Sequence, residues 1–288
     1  MERMAYVPES APNADAAKLP GAVGVSVTRL LLLCGVIPGL AFVLTVLIQD
    51  YTRPGVDPRL QPLSELSLGD WGWVQILNFV IAGVLNLAYA VGLWRALPPG
   101  RPGTWGPIFT AAYGLGLVTV GVFTTDPANG FPPGVAPPSQ PSVHGIVHGV
   151  GGLFTFLMLA AALGVFVHLF LERNEPWWAA YCLVSAVIML VAFFDGLHSP
   201  ELMARMLRLA TLIGWLASSI IAVKLRAVVE RGLAMRSDPV GDIHRMKPVH
   251  DRRGPIGSTR EVQIVRRGKP MLLTGGEARR IIRDYPVT

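Results

Sequence analysis

Apolar residues gather into six runs along this 288-residue chain, approximately Leu30–Ile48, Trp71–Trp94, Gly106–Phe123, Val147–Phe170, Trp177–Phe194 and Met206–Val223. A helix crosses the hydrocarbon core of a bilayer in roughly 20 mostly apolar residues, and each run is near that length. Backbone N–H and C=O groups in lipid must be satisfied within their own segment, so runs of this kind imply helices. The pattern predicts an all-α protein, a polytopic six-helix transmembrane bundle over 30–223. A mostly disordered tail, 1–29, precedes it, and a basic cytoplasmic tail, 224–288, partly disordered, follows it.

Finer patterns sit inside the runs. Gly35-Val-Ile-Pro-Gly39 puts two small residues four apart, which lets a neighbouring helix approach closely, and Pro38 predicts a kink. Gln75, Asn78, Asn86 and Tyr89 fall within an arc of about 80° at 100° per residue. Polar side chains at membrane depth turn toward partners in the bundle, so this intramembrane face is expected to point inward. Gly114, Gly116 and Gly121 predict close packing of the third run. Ser142 is placed to N-cap the fourth helix, and Gly145 and Gly149 give that helix a small-xxx-small face, read as a packing surface more than as a cavity wall. About six residues separate the fourth and fifth runs, so those helices should be antiparallel neighbours. In the C-terminal tail, Glu261–Thr274 reads as a strand pair around Arg267-Gly-Lys-Pro and Glu277–Asp284 as a short helix.

Charge gives the bundle a direction. Six crossings put both tails on one side. Of the 25 Lys and Arg residues, 21 lie on that side: three in the N-tail, Arg95, Arg101, Arg173 and 15 in the C-tail. Only Arg53, Arg59, Arg205 and Arg208 lie on the other. The positive-inside rule makes both termini cytoplasmic and places the protein in the inner membrane, multi-pass. Asp50, Ser64, Glu65, Ser67, Asp70, Asp126, His144, His148, Asp195 and His198 then share the outer rim.

Composition narrows the classes. Hydrophobic residues make up 51% and charged residues 15%, against about a quarter charged in soluble domains. Cys34 and Cys182 both lie within runs and read as small buried hydrophobes. Without a CxxC or Cys/His spacing, neither a disulfide framework nor a thiolate metal site is expected. A bis-histidine haem needs His on two facing helices. Only the fourth run carries any, and His148 and His168 point about 160° apart on it, so no cofactor is expected there. The basic tail offers no recognisable nucleic-acid fold; it reads first as a solvated topogenic tail, with anionic lipid as the alternative partner, beside the bilayer itself. No repeat relates the two halves of the chain, which weakens an inverted-repeat transporter.

The rim carries the candidate chemistry. His144 and His148, four apart, share one helix face, a spacing that suits a zinc pair with Asp126 or His198 as third ligand. The favoured reading of the same residues is interfacial histidines that bond to loop carbonyls or to Asp126, with Asp126 a turn-forming residue before Pro127. Ser64, Glu65, Ser67, Asp126, His144 and His148 are the candidate binding residues.

Three motifs carry a resemblance: Pro62-Leu-Ser-Glu-Leu-Ser67 with Gly72-Trp73, Gly121-Val-Phe-Thr-Thr-Asp126-Pro127, and His144-Gly-Ile-Val-His148. With the six runs, they make the chain similar to a bacterial six-helix membrane family, domain of unknown function 998, over roughly residues 28–228. The resemblance implies fold and membrane location and assigns no activity. A looser likeness to membrane hydrolases of the alkaline ceramidase type rests on the HxxxH alone. The expectation is a binding, transport or accessory protein working at its outer face. The alternative is a zinc-dependent membrane hydrolase acting on lipid through Asp126, His144 and His148.

Overall fold

The structure is a computed structural model and describes residues 22–199, 201–237, 262–266 and 269–273. Among these, six helical stretches are long and apolar enough to cross a membrane: Ser26–Thr52, Gly72–Ala96, Arg101–Val122, Val143–Glu172, Pro176–His198 and Met203–Ala227. Each contains, or differs by one residue from containing, one of the six apolar runs. Among its described residues, the first unit of the chain, Met1–Glu230, is built of helices joined by loops, with an isolated bridge between Ala128 and Phe131.

The first crossing is built from two helices, α1 (Ala22–Leu33) and α2 (Ile37–Thr52), separated by a turn at Cys34–Val36. Pro38 has no N–H to offer the carbonyl of Cys34, and its ring crowds that carbonyl, so the ladder cannot continue. The turn tightens instead: Gly35 N–H donates to Leu32 O at 3.2 Å and Val36 N–H to Leu33 O at 2.9 Å. The small residues around the break are used for packing. A Cβ on Gly35 would strike the Tyr89 ring, and one on Gly39 would strike the Ser219 hydroxyl.

Helix α1 begins eight residues before the apolar run, so 22–29 are helix where a disordered tail was expected. One of them is held by protein: Thr28 is buried, and Arg95 Nε donates to its hydroxyl at 3.0 Å. Hydropathy registers the lipid-facing part of a helix and misses the turns that pack beyond it.

Four further helices follow, α3 (Gly72–Ala96), α4 (Arg101–Val122), α5 (Val143–Glu172) and α6 (Pro176–His198), each packed beside the next. Helix α7 (Met203–Ser237) completes the series. Helices α3 and α4 approach closely at Gly83 and Gly114. A Cβ on Gly83 would lie 2.6 Å from Gly114 O, and one on Gly114 2.8 Å from Gly83 O. Without side chains there, van der Waals contact between backbones replaces a hydrophobic drive that lipid does not supply. Gly83→Val should therefore cost about 1–3 kcal/mol, read as a lower thermal midpoint of the purified protein in detergent. A midpoint equal to wild type would show that the helices part without cost.

An aromatic group ties distant helices together. Phe42 of α2 lies 5.2 Å from Phe79 of α3 and 5.0 Å from Trp215 of α7, and Tyr113 of α4 meets Trp215 edge-on at 5.7 Å. At the end of the bundle where α1 starts, Lys224 Nζ bonds Glu175 Oε2 at 2.7 Å and sits 5.0 Å over the Trp178 ring. We call the opposite end distal; it carries the loops 53–71 and 123–142.

The second unit, Arg231–Thr288, contains an antiparallel pair, β1 (Val262–Arg266) and β2 (Lys269–Leu273), with Val262 opposite Leu273 and Arg266 opposite Lys269. The strand pair lies where the sequence pattern put it. The expected helix at Glu277–Asp284 and the tail at 1–21 lie outside the described residues.

Candidate functional site

The distal end is closed by a short 3₁₀ turn, Leu63–Ser67, whose Leu63, Glu65, Leu66 and Ser67 are buried. Pro62 enters it in extended conformation and accepts the Glu65 N–H at 3.0 Å; Ser67 Oγ donates back to Ser64 O at 2.7 Å. The turn presses two leucines onto the bundle and carries polar groups above them.

Arg53, just past α2, holds the turn in place. Its guanidinium donates to the carbonyls of Leu66 and Leu68 and, at 3.3 Å, to Gln49 Oε1, and it lies 5.3 Å over the Phe131 ring. Burial lowers the Arg53 pKa from its ordinary value. The 123–142 loop is joined to the turn by Asn129, whose backbone takes a left-handed φ of 51°. Asn129 Nδ2 donates to Glu65 Oε1 at 2.6 Å, and Asn129 O accepts from Gln61 Nε2 at 2.9 Å. The other Glu65 oxygen is buried without a partner. Burial raises the Glu65 carboxyl to about 7, against the opposing pull of Asn129 and Arg208.

One ion pair lies beneath this cap. Arg208 of α7 bonds Asp50 of α2 at 2.6 Å and donates to Gln61 O at 3.0 Å. The Asp50 side chain is only 6% exposed. The inward polar face of α3 continues from there. Gln75 and Asn86 are fully buried, Tyr89 nearly so, and Asn78 half-buried. Gln75 Oε1 accepts from Gln49 Nε2 at 2.9 Å and from Asn78 Nδ2 at 3.3 Å, whereas Asn86 Nδ2 donates to Ala82 O of its own helix at 2.9 Å.

Below the 3₁₀ turn lies a cavity of about 180 Å³ that every crossing helps to line. Leu63 and Ser64 form its roof; Phe42, Leu117, Leu159 and Trp215 are among its apolar walls. No Asp, Glu, Lys or Arg lines it. Along α5 the lining extends from His148 to Leu159, about 16 Å of helix rise. Gly149 and Leu197, at the distal ends of α5 and α6, are the exposed residues of the lining and mark its mouth. A second cavity, about 150 Å³, shares Phe42, Leu63 and Thr211 with the first and has Asp50 and Arg208 in its wall. Gln75, Asn78, Asn86 and Tyr89 line neither.

The packing role expected of Gly149 is corrected here. A Cβ on Gly145 would collide with the Asp126 carboxylate, so Gly145 is a close-approach residue. A Cβ on Gly149 or Gly152 would meet nothing within 4 Å, and both residues line the cavity. Glycine spacing shows only where bulk is missing; whether a helix or a void fills the space depends on the neighbours.

The structure does not gather the suggested zinc ligands. Among the described residues no three His, Cys, Asp or Glu side chains come together as metal donors. His148 Nδ1 lies 2.8 Å from Phe123 O and 3.1 Å from Val120 O. A carbonyl only accepts, so Nδ1 carries the proton and caps the end of α4, whose last carbonyls have no intrahelical donors. His144 is exposed beside the Phe123 ring, 5.2 Å between centroids. Asp126 Oδ2 accepts the Ser142 N–H at 2.9 Å, while the Ser142 hydroxyl accepts the Gly145 N–H at 3.0 Å as the N-cap of α5. The Ser142 bonds, with a smaller contribution from His144, hold the Asp126 carboxyl below the usual carboxylate range. His198 is spent on its own helix, with Nδ1 2.7 Å from Phe194 O.

Arg53, Gln61, Asn129 and the Asp50–Arg208 pair do most of the closing, and none was singled out as a site residue from the sequence. The sequence places Asp50 on the outer rim and Arg208 among the four basic residues of that side, and signals no pairing between them.

No curated protein and no solved structure matches the chain. Residues 36–224, well over half the chain and nearly all of the helical bundle, match the family described as protein of unknown function (DUF998), and the chain belongs to that family.

Proposed function

We propose that this integral membrane protein holds an apolar, lipid-derived molecule in its distal cavity, and that the distal end faces the outer side of the inner membrane with both termini cytoplasmic. The observation that carries the reading is the cavity itself: an apolar chamber among membrane helices, opening near the bundle end at Gly149 and Leu197, under a polar cap. Chambers of this composition suit ligands whose binding comes from apolar burial, with a few polar groups fixing orientation. The inward polar residues of α3 stand outside both cavities, which favours holding over conduction. The orientation rests on the 21-to-4 split of Lys and Arg between the two sides. The 15 basic residues of the C-tail then suit anionic lipid on the cytoplasmic leaflet.

Gly152→Leu tests the reading. A Cβ at this lining position meets nothing within 4 Å, and leucine favours helix over glycine, so folding should be kept while the cavity is filled. The variant purified in detergent should lose the co-purifying lipid that solvent extraction and mass spectrometry find with wild type. It should also lose quenching of Trp215 by brominated acyl chains, with Trp215→Phe as the reference. An unchanged lipid complement and unchanged quenching would overturn the proposal.

A further inference from the structure

We infer that the cavity selects a neutral lipid bearing a free hydroxyl, of the long-chain alcohol class, whose O–H donates to Nε2 of His148. The inference rests on the proposed function and names its ligand.

His148 lines the distal end of the cavity. Its Nδ1–H is committed to the carbonyls of Phe123 and Val120. That bond fixes the tautomer of the neutral ring and leaves Nε2 as an acceptor. The ring is anchored at the α4 terminus and cannot exchange its nitrogens without orphaning those carbonyls. An acceptor on an apolar wall is complemented by a donor, and an O–H is a donor without charge.

The other polar groups fit the same occupant. Thr155 and Thr211 have turned their hydroxyl protons to Gly151 O and Leu207 O of their own helices, at 2.7 and 2.8 Å. Ser64, in the roof, adds a hydroxyl to the lining. Tyr113, which also lines the chamber, lies about two turns farther along α4 from the distal end than Val120. No Lys or Arg lines the chamber to meet a carboxylate or a phosphate, and no Asp or Glu to meet an amine. A charged head group would have to shed its water with no partner. Beyond His148 the wall along α5 is mainly apolar to Leu159, which suits an alkyl chain.

The test compares three probes on the unaltered full chain in detergent, by native mass spectrometry and by competition against Trp215 quenching. The probes are 1-tetradecanol, tetradecyl methyl ether and tetradecanoate. The alcohol should bind on the order of 10-fold tighter than the ether, since the bound ether covers the acceptor and leaves it unmet, and the carboxylate should bind weakest. His148→Phe should abolish the difference between alcohol and ether, whereas Tyr113→Phe should keep it. The comparison on wild type decides even if His148→Phe fails to accumulate. Equal binding of alcohol and ether, or tighter binding of the carboxylate, overturns the inference. If alcohol and ether bind equally and Gly152→Leu removes both, the cavity still holds lipid and only hydroxyl selection fails. If neither probe binds, or Gly152→Leu changes nothing, the proposed function falls with it.

Discussion

Arg208→Met should lower the stability of the membrane domain by about 3–5 kcal/mol. The substitution strands the Asp50 carboxylate, whose Oδ2 it now holds at 2.6 Å and whose side chain is 6% exposed. It also removes the donor to Gln61 O, through which α7 supports the distal loop. Methionine nearly matches the arginine stem in bulk, so the loss reports the unpaired charge more than lost packing. Asp50→Asn on the same background should restore most of the stability, because the cost lies in the orphaned charge and not in the absence of the pair. Thermal unfolding in detergent of wild type, both single variants and the double variant forms the required cycle. A single variant within about 1 kcal/mol of wild type would mean that water reaches the pair and screens it.

Stability should also fall as pH rises toward neutrality, and Glu65 should be the cause. Its carboxyl sits near 7 in the folded protein, against roughly 4.5 for an exposed glutamate. Between those values the folded state binds more protons than the unfolded one, so raising the pH favours unfolding. The decline begins near the lower value, is complete a little above the higher, and amounts to on the order of 3 kcal/mol. Asp126 acts in the opposite sense. Its carboxyl lies below the usual range, so its contribution is lost only on strong acidification, outside that window. Glu65→Gln keeps an acceptor for Asn129 and fills the position of the unpartnered oxygen with an uncharged group. It should flatten the decline between pH 5 and 8 and protect the amides of 63–68 from hydrogen exchange at the upper pH. Wild type and Glu65→Gln with identical pH profiles would show that burial does not hold the proton there.

What could be read from the sequence followed from local physics. Six apolar runs of bilayer length became six crossings because lipid forbids any other open-ended backbone. Pro38 broke the first crossing, and Ser142 capped the fourth, through bonds made within a few residues. The inward set of the polar α3 residues followed from a 100° repeat. What escaped depends on residues far apart in the chain. Asp50 and Arg208 are 158 positions apart, and neither shows its partner. Gly149 looked like a contact because helix spacing says where a small residue lies and nothing of what stands opposite. The HxxxH spacing put His144 and His148 on one face, yet the carbonyls at the end of α4 claimed one ring nitrogen, and no spacing rule within α5 could register them. The SELS motif drew notice by its polar residues; its structural work is done as much by the two leucines that frame them.

The Asp50–Arg208 pair bears on how the chain is made. Synthesis delivers α2 to the membrane first and α7 last, so the aspartate waits through four intervening helices for its counterion. Until then it must stay hydrated at the lipid boundary or take up a proton. Arrival of α7 neutralises the charge and brings the donor that the Gln61 carbonyl of the distal loop accepts. A nascent chain lacking α7 would carry an unpaired acid at the end of α2, so the last helix supplies the counterion for the first crossing.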